Sequence, residues 1–168
     1  MGADYNVGVS QPASDAKNTK ENVMATMVAP TRTEQISISR RSPNYWRVTI
    51  DNPPINVMGP EMVTQFQGVM DALYADQDVR VVVFDSAVDD YFLNHSDFLA
   101  KIEDLTGLPD GPTGLPPWPD FLVCLARLPI VSIVLIRGRA TGNGSEITLA
   151  CEHECCQPRK RPSSRNGK

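Results

Sequence analysis

No stretch of this 168-residue chain stays apolar for the roughly 20 residues that a membrane-spanning helix needs. The start lacks the basic-then-apolar layout of a signal peptide, and Asp4, Asp15 and Glu21 argue against a transit peptide. The last residues, Asn166-Gly167-Lys168, form neither a peroxisomal nor an ER-retention address. A cytoplasmic location is the resulting expectation. Cysteine is scarce: of four, three crowd into Cys151–Cys156 and Cys124 sits alone in an apolar segment. That spacing makes no disulfide framework, so a reducing compartment is expected. A net charge of −4 offers no global attraction to nucleic acid or to an anionic membrane, and neither is expected as a partner. Without a glycine-rich dinucleotide fingerprint or a P-loop, neither NAD nor ATP is implied.

What is present suits a single domain with a sizeable core. Residues 1–34 are rich in Asn, Ser, Thr, Ala and Lys and read as a flexible leader. Order is expected from Gln35, where Gln35–Ser39 alternates apolar and polar residues and a turn at Arg41-Ser42-Pro43-Asn44 leads into Tyr45–Asp51. Two alternating runs around such a turn predict a hairpin, ended by Pro53-Pro54. Pro60 and Glu61 then open a helix whose apolar stripe is Met62, Phe66, Val69, Met70 and Leu73. Val79–Phe84 and Ile130–Ile136 are short continuous apolar runs, the pattern of buried parallel strands. Thr106–Pro119 is dense in Gly and Pro and predicts an irregular loop, followed by a helix over about 120–128. The fold class is therefore α/β with parallel central strands. From Glu152 apolar periodicity ceases, so residues 152–168 read as a basic, disordered tail after an ordered unit at 35–151.

Two loop motifs carry the chemistry. Tyr91-Phe92-Leu93-Asn94-His95-Ser96-Asp97-Phe98 closes one strand region, and Gly138-Arg139-Ala140-Thr141-Gly142-Asn143-Gly144-Ser145-Glu146 follows the next strand and opens a helix. Each places backbone N–H groups at a turn, a geometry that can hold a developing oxyanion. Together with Asn52-Pro53-Pro54-Ile55-Asn56-Val57-Met58, their order and spacing resemble the enoyl-CoA hydratase/isomerase (crotonase) family from about Ile36 to Cys151. The resemblance implies the N-terminal portion of a crotonase-like (ClpP/crotonase) spiral fold. It also implies an acyl-CoA thioester as substrate, with enoyl-CoA hydration or double-bond isomerisation as the reaction. No cofactor is implied beyond the coenzyme A that the substrate carries.

Carried over residue by residue, the resemblance assigns the oxyanion-hole N–H groups to Ser96 and Asn143 and the catalytic carboxylate to Glu146. It assigns substrate contacts to Asn94, His95, Asp97 and Gly142. His95 stands where relatives have Gly, so a positive φ there would strain the loop. Many hydratases use a second glutamate about twenty residues beyond the first. No matching segment follows Glu146 here, so hydration is expected to be very slow. The alternative is a non-catalytic fragment that self-associates as a homo-oligomer or binds full-length relatives.

On the residues alone, other readings stand beside these. Asn143-Gly144-Ser145-Glu146 is also a helix-capping pattern, His95 suits a bond to its own backbone, and Asp97 suits a local turn. Cys151, His153, Cys155 and Cys156 are metal-ligand residue types but lie too close together to wrap an ion, so no metal is expected.

Overall fold

Apolar side chains at every second position drive the strands onto one face of a sheet, and two helices cover that face. The computed structural model describes residues 34–156. The expected leader, Glu34 apart, and the basic part of the tail lie outside the described residues.

The elements run β1 (Ile36–Ser42), β2 (Tyr45–Ile50), α1 (Pro60–Ala75), β3 (Val81–Ser86), α2 (Ile102–Thr106), α3 (Pro117–Ala126), β4 (Val131–Ile136), α4 (Asn143–Ala150) and β5 (His153–Cys156). They form a five-stranded sheet in the order β1-β2-β3-β4-β5. β1 and β2 make the antiparallel hairpin, and β2 to β5 pair in parallel, with Trp46 opposite Val82 and Phe84 opposite Val134. The predicted parallel neighbours at 79–84 and 130–136 are thus adjacent strands.

Trp46, Val48 and Ile50 on β2, Val82 and Phe84 on β3, and Val134 on β4 are buried on the face below α1 and α3. α1 contributes Met62, Val63, Phe66, Val69, Met70 and Leu73. Phe121 of α3 joins these layers, with its ring centroid 4.8 Å from that of Phe66 and 6.3 Å from that of Phe84. At the end of α1 the Asp76 carboxylate accepts from the N–H groups of Asp78 (2.9 Å) and Val79 (3.1 Å), which turns the chain toward β3. Gln65 Oε1 accepts from Gln35 N (2.8 Å) and Ile36 N (2.9 Å), fixing β1 to the helix.

Two expectations are corrected, and one element appears that the sequence pattern did not announce. α3 begins at Pro117, inside the stretch read as irregular, because proline is tolerated in a helix's first turn, where N–H groups have no intrahelical partner. The same stretch is preceded by the short helix α2, which buries no residue. Order also does not end at Cys151: His153–Cys156 pair with Ile133–Ile136 as β5. Every side chain of β5 is exposed, so main-chain pairing makes this strand and no apolar alternation announces it.

Phe121→Ala should cost about 3–5 kcal/mol, as expected for an aromatic removed from a closed core. Gly68 should behave oppositely: it is exposed on α1, and a Cβ added there would meet no atom within 4 Å. Gly68→Ala should add about 0.5–1 kcal/mol through helix propensity. Urea unfolding of both variants beside the parent checks the pair.

Candidate active site

Three loops leave the C-terminal ends of β2, β3 and β4 and run side by side. Loops without a ladder must satisfy their polar groups individually. Asn56 does most of this at the centre, fully buried and with φ of 52°, a conformation asparagine tolerates well. Its Nδ2 donates to Ser86 Oγ (2.8 Å) and the Phe92 carbonyl (2.7 Å), while its Oδ1 accepts from Asn52 N (2.7 Å). The Asn56 carbonyl accepts from Asn94 N at 2.9 Å. Asn94 extends the bridge: its Nδ2 donates to the Ile55 carbonyl (2.7 Å) and its Oδ1 accepts from Thr141 Oγ1 (2.6 Å).

The middle loop is therefore clamped on both sides. Met58 N donates to the His95 carbonyl (3.1 Å) and Asp97 N to the Met58 carbonyl (2.9 Å). On the other side Phe92 N donates to the Arg139 carbonyl (2.8 Å) and Thr141 N to the Leu93 carbonyl (3.2 Å). The Met58–Ser96 bridge uses the peptide groups either side of Ser96, so the Ser96 N–H faces away from Met58.

α4 opens against this clamp. Gly142, with φ of 53° and ψ of −117°, occupies a region that only glycine enters readily, and a Cβ there would lie 3.1 Å from His95 Cα. Gly144 sits so close to Leu93 that a Cβ would fall 2.0 Å from its carbonyl oxygen. In the first turn Gly144 N donates to the Thr141 carbonyl, and Ser145 N and Glu146 N to that of Gly142. Among the described residues, the N–H groups of Asn143 and Ser96 donate to no backbone carbonyl.

The capping reading of Asn143 is corrected, because Gly142 is the N-cap and no side chain caps α4. Asn143 lies one residue inside the helix. Its Oδ1 instead accepts from Ser96 Oγ at 3.1 Å, which brings the two expected oxyanion residues into direct contact. Glu146 Oε2 accepts from Trp118 Nε1 at 2.6 Å and, at a longer 3.5 Å, from Asn143 Nδ2.

The expected substrate-contact residues lie in the same loops. Asn94 is buried and its amide joins the three loops, as described. The Asp97 carboxylate accepts from Leu99 N at 2.9 Å in a local turn. His95 Nδ1 is 2.8 Å from the Ser96 carbonyl, which can only accept, so that nitrogen carries the proton. The exposed imidazole stacks on Phe98 at 5.0 Å. His95 does not adopt the positive φ that its place in the motif raised; the left-handed residues are Asn56, Asp90, Gly114 and Gly142 among those described.

Two features escaped the sequence reading. Asp85 is buried at the end of β3 and held by Arg47 and Arg137; Arg137 Nη2 reaches its Oδ1 at 2.5 Å and the Ser86 carbonyl at 2.8 Å. The signal was a single acid closing an apolar strand, with arginines on the flanking segments. Trp118, the partner of Glu146, was hidden in the proline-rich stretch.

No group of three or more His, Cys, Asp or Glu side chains is placed to hold a metal ion among the described residues. Burial, and to a lesser degree the Glu152 charge, push the Cys151 thiol up from 9.0 to about 12, against the lowering effect of its bond to Ser132.

The fold and these paired loops define a crotonase-type protein. The enoyl-CoA hydratase/isomerase family matches residues 40–160, and the chain belongs to that family. It is similar to an ethylmalonyl-CoA decarboxylase from Danio rerio, 29% identical over 107 residues, which covers 62% of this chain and 35% of that protein. A candidate enoyl-CoA hydratase from Streptomyces avermitilis superposes with a TM-score of 0.66 at 30% identity, covering 73% of this chain and 46% of the other. An enoyl-CoA hydratase from Bacillus anthracis shares the fold, with a TM-score of 0.60 at 19% identity over 73% and 47% of the two chains. The chain thus spans about half the length of these relatives or less.

Gly144→Ala should force α4 away from Leu93 and destabilise the protein by about 1–3 kcal/mol, the range for overpacking a closed contact. Thermal or urea unfolding measures it. The thiolate is the reactive form of cysteine, so a thiol raised to about 12 stays protonated and unreactive at pH 8.5. Iodoacetamide at that pH should label the exposed Cys155 and Cys156 well before Cys151, with peptide mass spectrometry as the readout.

Proposed function

We propose that this chain binds an acyl-CoA thioester by its carbonyl oxygen and promotes formation of the enolate, with Glu146 as the base. The carrying observation is the pair of loops that brings Ser96 and Asn143 together while their N–H groups make no backbone bond among the described residues. In this reading Glu146 removes the α-proton: the C–H pair moves into the enolate, the charge rises on the thioester oxygen, and the carboxylate becomes the acid. Donors aimed at that oxygen act on the transition state more than on the ground state, each being worth about 3–4 kcal/mol of barrier.

One base is enough to form an enolate, whereas hydration also needs a group that activates water. Double-bond isomerisation fits the same scheme, because Glu146 could return the proton at a second carbon. A carboxylated acyl-CoA, suggested by the name of the Danio rerio relative, would reach the same enolate by losing carbon dioxide, without proton removal. Asn94, His95, Asp97 and Gly142 shape the loops around the thioester in this reading.

A second reading, association with another chain, is favoured by Phe98, Leu99 and Ile102, large apolar side chains between 68% and 96% exposed within one five-residue segment. Such a set commonly marks a contact surface. A homo-oligomer or a complex with a longer relative would cover it, and light scattering of the purified chain, alone and mixed with such a relative, tests this.

For the catalytic reading the assay is exchange of the α-protons of butyryl-CoA in D2O, followed by mass spectrometry. The parent should incorporate deuterium, and Glu146→Gln should slow this by about 10²–10⁴-fold, the usual worth of a positioned acid–base group. Equal background rates in both proteins would remove the proposed activity. Hydration of crotonyl-CoA should stay near background in either.

A further inference from the structure

We propose that Trp118 is a positioning residue for Glu146, pinning Oε2 and leaving Oε1 as the oxygen that handles the proton. This rests on the catalytic reading above and adds a residue to it that no motif contains.

The argument begins in the core. The Trp118 ring stacks on Phe121 at 5.2 Å and 18°, and meets Phe66 edge-on at 5.5 Å and 60°. Both partners are buried, so packing between α1 and α3 fixes the indole plane and with it the direction of the N–H. That N–H donates to Glu146 Oε2 at 2.6 Å, a short charge-assisted bond. Asn143 Nδ2 approaches the same oxygen at 3.5 Å, and Asn143 Oδ1 holds Ser96 Oγ at 3.1 Å. A hydrogen-bonded chain therefore runs from Trp118 through Glu146 and Asn143 to Ser96, joining the carboxylate to both oxyanion loops. Both donors converge on one oxygen, and Oε1 accepts from no side chain or backbone group among the described residues. Glu146 is exposed and would otherwise sample several rotamers. The indole selects one of them.

Trp118→Phe keeps an aromatic ring in the stack and removes only the donor. In α-proton exchange it should lower kcat by about 10- to 100-fold, the scale of a misplaced reacting group. KM should stay within about twofold, because ground-state binding is untouched. Within a Glu146→Gln background the same change should add nothing, since without the carboxylate base no proton-accepting oxygen is left for Trp118 to position. Independently of activity, the Trp118 indole N–H resonance of the 15N-labelled protein should move on Glu146→Gln while that of Trp46 stays in place.

A Trp118→Phe variant with parental kcat, a change confined to KM, or a full additional loss in the Glu146→Gln background would overturn the proposal. So would an indole resonance indifferent to Glu146→Gln. Absence of exchange in the parent itself would be a different failure: the catalytic reading falls, and the positioning role with it.

Discussion

The candidate site depends on one buried side chain, Asn56. Three loops converge beyond the sheet, and nothing in a parallel sheet supplies them with partners. Asn56 closes much of that deficit with five hydrogen bonds, two to Asn52 in its own loop and one each to Ser86, Phe92 and Asn94 in the next, and Asn94 carries the joint on to Thr141 in the third. An amide is the side chain that can both donate twice and accept in so small a space. Each bond contributes only about 1 kcal/mol net, but leaving buried partners unsatisfied costs more. The loops are thus joined more securely than any single bond suggests, and the positions of Ser96 and Asn143 follow from this joint.

This arrangement gives physical content to the looseness of the motifs. If the donors are main-chain N–H groups, their position depends on the path of the backbone. Side chains can then vary wherever they do not disturb that path. Ser96 and Asn143 use that freedom to bind each other. Gly142 and Gly144 lack that freedom, one for its positive φ and the other for its contact with the Leu93 carbonyl.

Legibility in the sequence followed the physics of each element. α1, β3 and β4 could be read because long apolar stripes and continuous apolar runs have few alternative fates. β5 could not, since His153–Cys156 are exposed and join the sheet through the free edge of β4. The start of α3 was masked by Pro116, Pro117 and Pro119, whose density signals a loop although proline suits a first helical turn. At the site, the motifs pointed to Ser96 in the loop after β3 and to Asn143 and Glu146 in the first turn of α4. They misplaced the cap by one residue, because Asn-x-x-Glu looks the same whether the helix starts at Gly142 or at Asn143. Asp85 and Trp118 belong to no motif; their partners lie 28 to 52 residues away, beyond the reach of local pattern.

In the proposed chemistry, the elements present divide the work unevenly. Enolate formation draws on a carbonyl held by two donors and on one base, and the described residues offer a candidate for each. Hydration asks in addition that a water be held, deprotonated and delivered, and that the proton be returned to the neighbouring carbon. The reactions that suit this set best are therefore those in which the oxyanion carries most of the barrier: proton exchange, isomerisation through one carboxylate, or loss of carbon dioxide. For all three, the alignment of the loops around Asn56 matters as much as the acid–base group, because only a fixed pair of donors can favour the enolate over the bound thioester.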